Sequence, residues 1–134
     1  MDVKKLIARG EFFYADCIAI NSSQIVGYEI KNHKIAIDYQ IPVDISDLTD
    51  VFPNFSVEMG ESTYVGGEAA SHGSCGFFYK KTQDVLNWAL VSTESNPFIN
   101  VEVHQESVRF LTSSGFTWIV PGDNIKAVYI ERSI

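Results

Sequence analysis

A thiol and an imidazole lie close together in one short segment of the chain. His72 and Cys75 are three residues apart, and the carboxylate of Glu68 precedes them. A cysteine nucleophile needs a thiolate, which a neighbouring histidine can generate. However, no Gly-x-Ser-x-Gly spacing surrounds Ser74, and cysteine proteases take their histidine from a distant part of the chain. A small hydrolase using His72 and Cys75 is therefore only an alternative, and a buried cysteine beside a loop histidine is the simpler interpretation.

Metal and phosphate sites are not indicated. The three histidines and two cysteines have no paired ligand spacing such as Cys-x-x-Cys. Asp44, Asp47 and Asp50 recur at every third residue, but a calcium loop needs alternate ligands and a glycine where Thr49 stands. Gly66-Gly67 is not followed by the Lys-Ser or Lys-Thr of a phosphate-binding loop. We predict no metal, no cofactor and no enzymatic activity.

Charge is distributed unevenly along the 134 residues, which carry 17 acids, 10 bases and a net charge of −7. Between Lys34 and Lys80 there is no lysine or arginine, while the ten remaining acids and all ten bases lie outside. This base-free stretch holds seven acids: Asp38, Asp44, Asp47, Asp50, Glu58, Glu61 and Glu68. An acidic chain of this kind is a poor match for the nucleic-acid backbone, which binds clustered Lys and Arg.

The acidic stretch has two interpretations. It is either a solvated face, or a surface that attracts a basic protein by complementary potential. A toxin that cleaves nucleic acid must be basic, so its neutralising partner is expected to be acidic. The predicted partner-binding residues, called the six acids below, are Asp44, Asp47, Asp50, Glu58, Glu61 and Glu68.

The elements that carry these residues are predicted to be strands, because short aromatic and β-branched runs alternate with turn residues. The clearest pattern is a hairpin from Val26–Ile30 to Ile35–Ile41, with a turn at residues 31–34. Further strands are predicted over Glu11–Ile20, Phe55–Met59, Gly76–Lys80 and Val85–Val91. For Val85–Val91 a helix is the alternative. A C-terminal meander of four more strands is predicted over Phe98–His104, Ser107–Thr112, Phe116–Val120 and Ile125–Ile130.

Three segments are predicted not to be regular strands. Residues 2–9 form a helix, and Asp44–Pro53 is a turn or short helical piece that Ser46 or Asp47 could cap. Gly60–Gly76, rich in Gly, Ser, Ala and Glu, is a long mobile loop, interrupted at most by a strand around residues 63–65.

Together these elements predict a single mainly-β domain over residues 1–134. Its architecture is an antiparallel sandwich or partly closed barrel with at most one or two short helices. Only three apolar residues in a row precede Arg9, which is too few for a signal peptide, and no run is long enough to span a membrane. Cys17 lies in an apolar run and is predicted to be buried and reduced. We therefore expect a cytoplasmic protein, monomeric or weakly dimeric.

In size, charge and β-rich pattern, the whole chain resembles the small acidic immunity proteins encoded with bacterial contact-dependent growth inhibition and polymorphic toxins. No residue-level motif carries the resemblance, so no binding residue is transferred from that class. The resemblance implies one-to-one binding to a cognate toxin domain, with its active site or an adjacent surface occluded, and neither cofactor nor turnover. A small-molecule-binding β-barrel is the alternative, because aromatic-rich strands and a glycine loop could line and gate a pocket.

Overall fold

The structure is a computed structural model that describes residues 2–70 and 73–133. Within these residues a short helix, α1, spans Val3–Ala8, and a 3-10 turn spans Ile125–Ala127. The strands are β1 Glu11–Phe13, β2 Cys17–Ala19, β3 Ile25–Lys31, β4 Lys34–Asp38, β5 Leu48–Met59, β6 Ser62–Ala69, β7 Cys75–Thr82, β8 Val85–Ser92, β9 Phe98–Val103, β10 Ser107–Thr112, β11 Phe116–Pro121 and β12 Tyr129–Arg132. In this described part, no helix has the length and apolar character needed to cross a membrane.

The strands form one antiparallel sheet in the spatial order β1-β5-β6-β7-β8-β2-β3-β4-β12-β11-β10-β9. Strands twist relative to their neighbours, and over this many strands the twist accumulates until the sheet curls. The result is a half-barrel in which β9, at the far end of the sheet, lies against β5 and β6. The prediction of a mainly-β, antiparallel, partly closed barrel is confirmed.

The sheet has two apolar faces, because side chains alternate along its central strands. Phe78 points into an inner core between the two halves of the curled sheet, where its ring stacks on that of Phe110 at 3.9 Å between centroids. Phe77, the preceding residue, points to the outer face, which α1 covers through Val3 and Leu6. Burial on both faces explains why the central strands are apolar almost throughout.

Most predicted elements are confirmed. The hairpin of β3 and β4 turns at Asn32 and His33, whose φ angles of 53° and 62° suit a two-residue turn. The helix, the strands β7 and β8, and the strands β9, β10 and β11 of the meander also lie where the sequence predicts them. The last predicted strand, Ile125–Ile130, is half wrong: it begins as the 3-10 turn, which Asn124 caps by accepting the N–H of Lys126.

The prediction of one strand over Glu11–Ile20 was wrong, since β1 and β2 are separate strands on different neighbours. β1 pairs with β5, whereas β2 lies between β8 and β3. The break falls at residues 14–16, where one Asp16 carboxylate oxygen accepts the Thr93 N–H at 2.7 Å and its hydroxyl at 3.0 Å. Asp16 thus stabilises the point at which the chain changes neighbours.

The prediction of a turn or helical piece over Asp44–Pro53 was also wrong beyond its first residues. A turn is present at Asp44, but β5 begins at Leu48 and continues through Pro53 to Met59. Pro53 is accommodated at a register irregularity between Pro53 and Phe55, opposite Gly67 of β6. A proline is tolerated at such a bulge on an edge strand, because its missing N–H removes no required ladder bond.

Most of the predicted mobile loop over Gly60–Gly76 is instead a regular strand, β6, over Ser62–Ala69, while Ser71 and His72 lie outside the described residues. Gly66 and Gly67 are buried within this strand and were misinterpreted as breakers. A Cβ at Gly66 would lie 2.5 Å from Cζ of Phe55, and one at Gly67 would lie 2.1 Å from the carbonyl oxygen of Phe52. These glycines therefore allow close packing against β5 rather than mobility.

Candidate functional site

The six acids are distributed along β5 and the segments next to it. Asp44 and Asp47 lie in the loop before β5, and Asp50 lies near its start, opposite Glu11 of β1. Glu58 lies at the other end of β5 and Glu61 in the turn that follows it. Glu68 is half-buried on β6, opposite Phe52, and the other five acids are exposed.

The structure spreads the six acids in a row along β5 and its flanking segments rather than in one compact cluster, and the row has side chains on both faces of the sheet: Glu68 lies on the inner face and Glu58 on the outer face. Eight residues separate Asp50 from Glu58 along β5, which at about 3.3 Å per strand residue is a distance of about 25 Å. The loop acids Asp44, Asp47 and Asp50 therefore lie at one end of the row, and Glu58 and Glu61 at the other. A row of this length fits within one side of a standard protein–protein interface.

None of the six acids has a basic partner among the residues that the structure describes. The ion pairs found there use other acids: Arg9 with Glu11, Lys31 with Glu29, Lys80 with Asp123, His104 with Glu102, and Arg109 with Glu131. The row therefore carries negative charge that the chain itself leaves uncompensated. Such a charge distribution attracts cations and basic proteins to this end of the sheet.

The loop acids are held by local hydrogen bonds that keep their segment in place. The hydroxyl and the N–H of Ser46 donate to Oδ1 of Asp44 at 2.6 and 2.9 Å, and both bonds lower the pKa of Asp44 from its ordinary value. The carbonyl oxygen of Asp47 accepts the N–H of Tyr14 at 2.9 Å. Asp44 thus stays charged while its side chain shapes the turn that leads into β5.

Exposed apolar side chains accompany the acids. Phe52 and Met59, on β5, are 46% and 50% exposed, and Ile45 in the preceding loop is 58% exposed. Scattered exposed apolar residues are normal, but these three flank the row of acids. The strand therefore carries exposed apolar side chains as well as unpaired charge, the combination that a protein interface uses.

The alternative thiol site is not assembled in the described residues. His72 lies outside them, while Cys75 is buried and its thiol faces the carbonyl oxygen of Thr93 at 3.6 Å. Cys17 is also buried, as predicted, and burial raises the pKa of its thiol to about 12, with the nearby Asp16 charge adding to the effect. A thiol of that pKa is a poor nucleophile at neutral pH.

A second constellation, at one end of the half-barrel, was missed by the sequence analysis. Oδ1 of Asp123 accepts from Nζ of Lys80 at 2.8 Å and from Nε1 of Trp88 at 2.9 Å. Nζ of Lys80 also lies 5.7 Å from the centre of the Tyr64 ring. Asp123, Lys80 and Tyr64 border a polar pocket of about 160 Å³ that His104 also lines. Asp123 joins the loop after β11 to two neighbouring strands, so its first role is to hold that loop.

Sequence alone offered no signal for this constellation. Asp123 is 43 residues from Lys80 and 35 from Trp88, and only the curling of the sheet brings them together. The positive φ of 60° at Asp123 fits a turn residue, and Asp123 lies in the short segment between the predicted strands Phe116–Val120 and Ile125–Ile130.

A cavity of about 110 Å³ lies on the outer face between α1 and strands β7 and β8. The inner core leaves room for a small molecule near its ends. At its centre, the rings of Phe78, Phe98 and Phe110 are in contact, and Trp88 and Trp118 meet them edge-on. An internal ligand would have to displace these rings. Phe116 and Ile130 line two adjoining open grooves of about 490 and 220 Å³. The residues that the structure describes contain no group of three His, Cys, Asp or Glu side chains placed to bind a metal.

Comparison with known proteins found no relative of this chain. No protein-family model matches the chain, and neither the curated proteins nor the solved structures contain a match. Function is therefore inferred from the chain's own charges, surfaces and strand edges.

Proposed function

We propose that this chain is an immunity protein that binds a cognate toxin domain through the row of acids along β5. The toxin domain is basic, as a nuclease must be, and the immunity protein neutralises it by occluding its active site or an adjacent surface. The observation that carries the proposal is the concentration of unpaired charge: all six acids lie on or beside β5 and β6 and none has a basic partner within the described residues, whereas five of the eleven other acids do.

The character of the surface supports a protein as the partner. The exposed side chains of Phe52 and Met59 provide apolar area on the same strand as Asp50 and Glu58. Long-range attraction from the acids would speed the encounter, and the apolar residues would then be buried on contact. A small inorganic cation would need converging carboxylates, and the row spreads its acids over about 25 Å.

The test uses the C-terminal domain of the protein encoded by the gene immediately upstream. We expect co-expression of this chain to rescue growth of cells that produce the domain, and the two purified proteins to form a one-to-one complex. Failure of both rescue and complex formation with that domain would contradict the proposal.

A charge-neutralised variant tests the role of the loop acids. Its substitutions are Asp44→Asn, Asp47→Asn and Asp50→Asn; asparagine keeps the oxygen that Ser46 uses at position 44. We expect association with the upstream-encoded domain to slow by about three- to tenfold at low salt, with a weaker salt dependence.

A matched control removes the same amount of charge elsewhere. Its three substitutions, at exposed acids outside the row, are Glu102→Gln, Glu106→Gln and Glu131→Gln. The control is expected to associate at nearly the rate of the unmodified chain. Equal slowing of both variants would show that only net charge matters, which would refute a role for the loop acids.

A further inference from the structure

β5 has a free edge beyond the point where β1 ends. β1 pairs with residues 48–50, and the N–H of Val51 donates to the carbonyl oxygen of Gly10 at 2.9 Å. From Phe55 to Met59 the ladder to β6 continues, but the described residues contain no backbone hydrogen bond from this segment to a strand on its other side. An edge of this kind can accept an additional strand.

The direction of the free backbone groups follows from the hairpin turn. Met59 and Ser62 flank a two-residue turn at Gly60, whose φ is +62°, so this closing pair bonds across the hairpin. Hydrogen-bonded and non-bonded pairs alternate in an antiparallel ladder. Ser56 and Glu58 therefore point their N–H and C=O groups away from β6, toward the free edge.

The side chains beside this edge alternate in character. Phe55 and Val57 are half-buried on the inner face, and Met59 on the same face is half-exposed. Ser56 and Glu58 lie on the other face and are exposed. A strand added here would place apolar side chains beside the first group and basic side chains beside Glu58.

We propose that the edge Phe55–Met59 is where the partner docks, by adding an extended segment of its own that alternates apolar and basic residues. This inference rests on the proposed function and names the contact through which it operates. Charge selects the occupant: a second copy of this chain would add its own acids to an edge that already carries Glu58 and Glu61, whereas a basic strand neutralises them. Main-chain bonds would supply affinity, and the alternating side chains would supply specificity.

The experiment uses a capped peptide of seven residues that alternates lysine and valine. Backbone amide exchange of the full chain is followed by NMR with and without the peptide. We expect exchange at Ser56 and Glu58 to slow by about tenfold at saturation, because their free N–H groups become bonded. The matching peptide of glutamate and valine is the control and is expected to leave both amides unchanged.

Two variants at Ser56 separate the contribution of its backbone N–H to peptide binding from that of its side chain. Ser56→Pro removes one outward N–H without changing charge, and Pro53 shows that β5 already accommodates a proline. Ser56→Ala keeps that N–H. We expect the proline variant to bind the peptide about fivefold more weakly and the alanine variant to bind it normally.

Several results would overturn the proposal. These are unchanged exchange at Ser56 and Glu58 at millimolar peptide, protection at β9 instead, or a dimer of this chain that buries β5. Failure of the two proposals can be told apart with the upstream-encoded domain. If that domain is neutralised while both amides stay unprotected in the complex, the docking edge is wrong and the function stands. If the peptide pairs with β5 but that domain does not bind, the edge stands and the function is wrong.

Discussion

Asp123 is expected to be one of the few acids whose loss destabilises the fold. Its Oδ1 holds both Nζ of Lys80 and Nε1 of Trp88, at 2.8 and 2.9 Å. The Lys80 side chain is only 14% exposed, while that of Asp123 is 54% exposed. Asp123→Gly removes the carboxylate without backbone strain, because glycine readily adopts the φ of 60° found there.

The size of the effect follows from the burial of the partners. Removing one member of a fully buried ion pair costs about 3–5 kcal/mol, whereas an exposed pair contributes about 0–1 kcal/mol. The exposure of Asp123 places this pair between those limits. The indole N–H of Trp88, which is 3% exposed, also loses its acceptor. We expect a loss of about 2 kcal/mol in the free energy of unfolding, or about 6–10 °C in Tm.

Urea unfolding followed by tryptophan fluorescence measures this loss, with Trp88 itself as one of the two reporters. The control is Glu131→Ala, which breaks the more exposed pair with Arg109 and is expected to cost less than about 1 kcal/mol. A double-mutant cycle with Lys80→Met isolates the ion pair from the bond to Trp88. If Asp123→Gly costs no more than Glu131→Ala, the argument from burial is refuted.

Two further predictions concern a strand glycine and a buried thiol. Gly67→Ala places a Cβ 2.1 Å from the carbonyl oxygen of Phe52, so we expect urea unfolding to show a loss of about 2–3 kcal/mol in the free energy of unfolding. A loss below about 0.5 kcal/mol would contradict the close packing of β5 on β6. For Cys17, the pKa of the thiol is about 12 in the folded chain, above the ordinary value of 9.0. Between pH 9 and pH 12 the unfolded chain therefore loses this proton more readily than the folded chain does. The contribution of the Cys17 thiol to the free energy of unfolding is complete below pH 9 and falls as the pH rises toward 12. We expect Cys17→Ala to lower the pH slope of the unfolding free energy in that window by up to about 1.4 kcal/mol per unit; an unchanged slope would contradict the buried, neutral thiol.

The sequence was informative wherever alternation and turn chemistry agreed. The β3–β4 hairpin was predicted because Val26 to Ile30 and Ile35 to Ile41 alternate around a polar turn. Its strand ends at Asp38 rather than Ile41, because Ile41 instead packs over Gly27 of β3. The local pattern therefore predicts the strand, and a tertiary contact determines the residue at which the strand ends.

The sequence was misleading where a residue is required by contacts with a part of the chain that is distant in sequence. Gly66 and Gly67 carry the composition of a loop, yet they are glycines because β5 packs too closely for any Cβ. Asp16 interrupts an apolar run because its partner is Thr93, far along the chain. The curled sheet creates these long-range contacts, and they cannot be identified from neighbours in sequence alone. The Asp123 constellation was missed for the same reason.

The acids illustrate how secondary structure changes the meaning of a charge cluster. In sequence they are one base-free block, and a helical segment at Asp44–Pro53 would have brought the loop acids into about two turns. The structure instead leaves Asp44 and Asp47 in a loop and places Asp50 near the start of an extended strand, so at about 3.3 Å per residue the row of acids runs about 25 Å from Asp50 to Glu58 beside an open edge. A row of this kind is matched by an extended basic segment, whereas a compact cluster would match a concave phosphate site. The two geometries predict different complexes, and amide protection at Ser56 and Glu58 distinguishes between them.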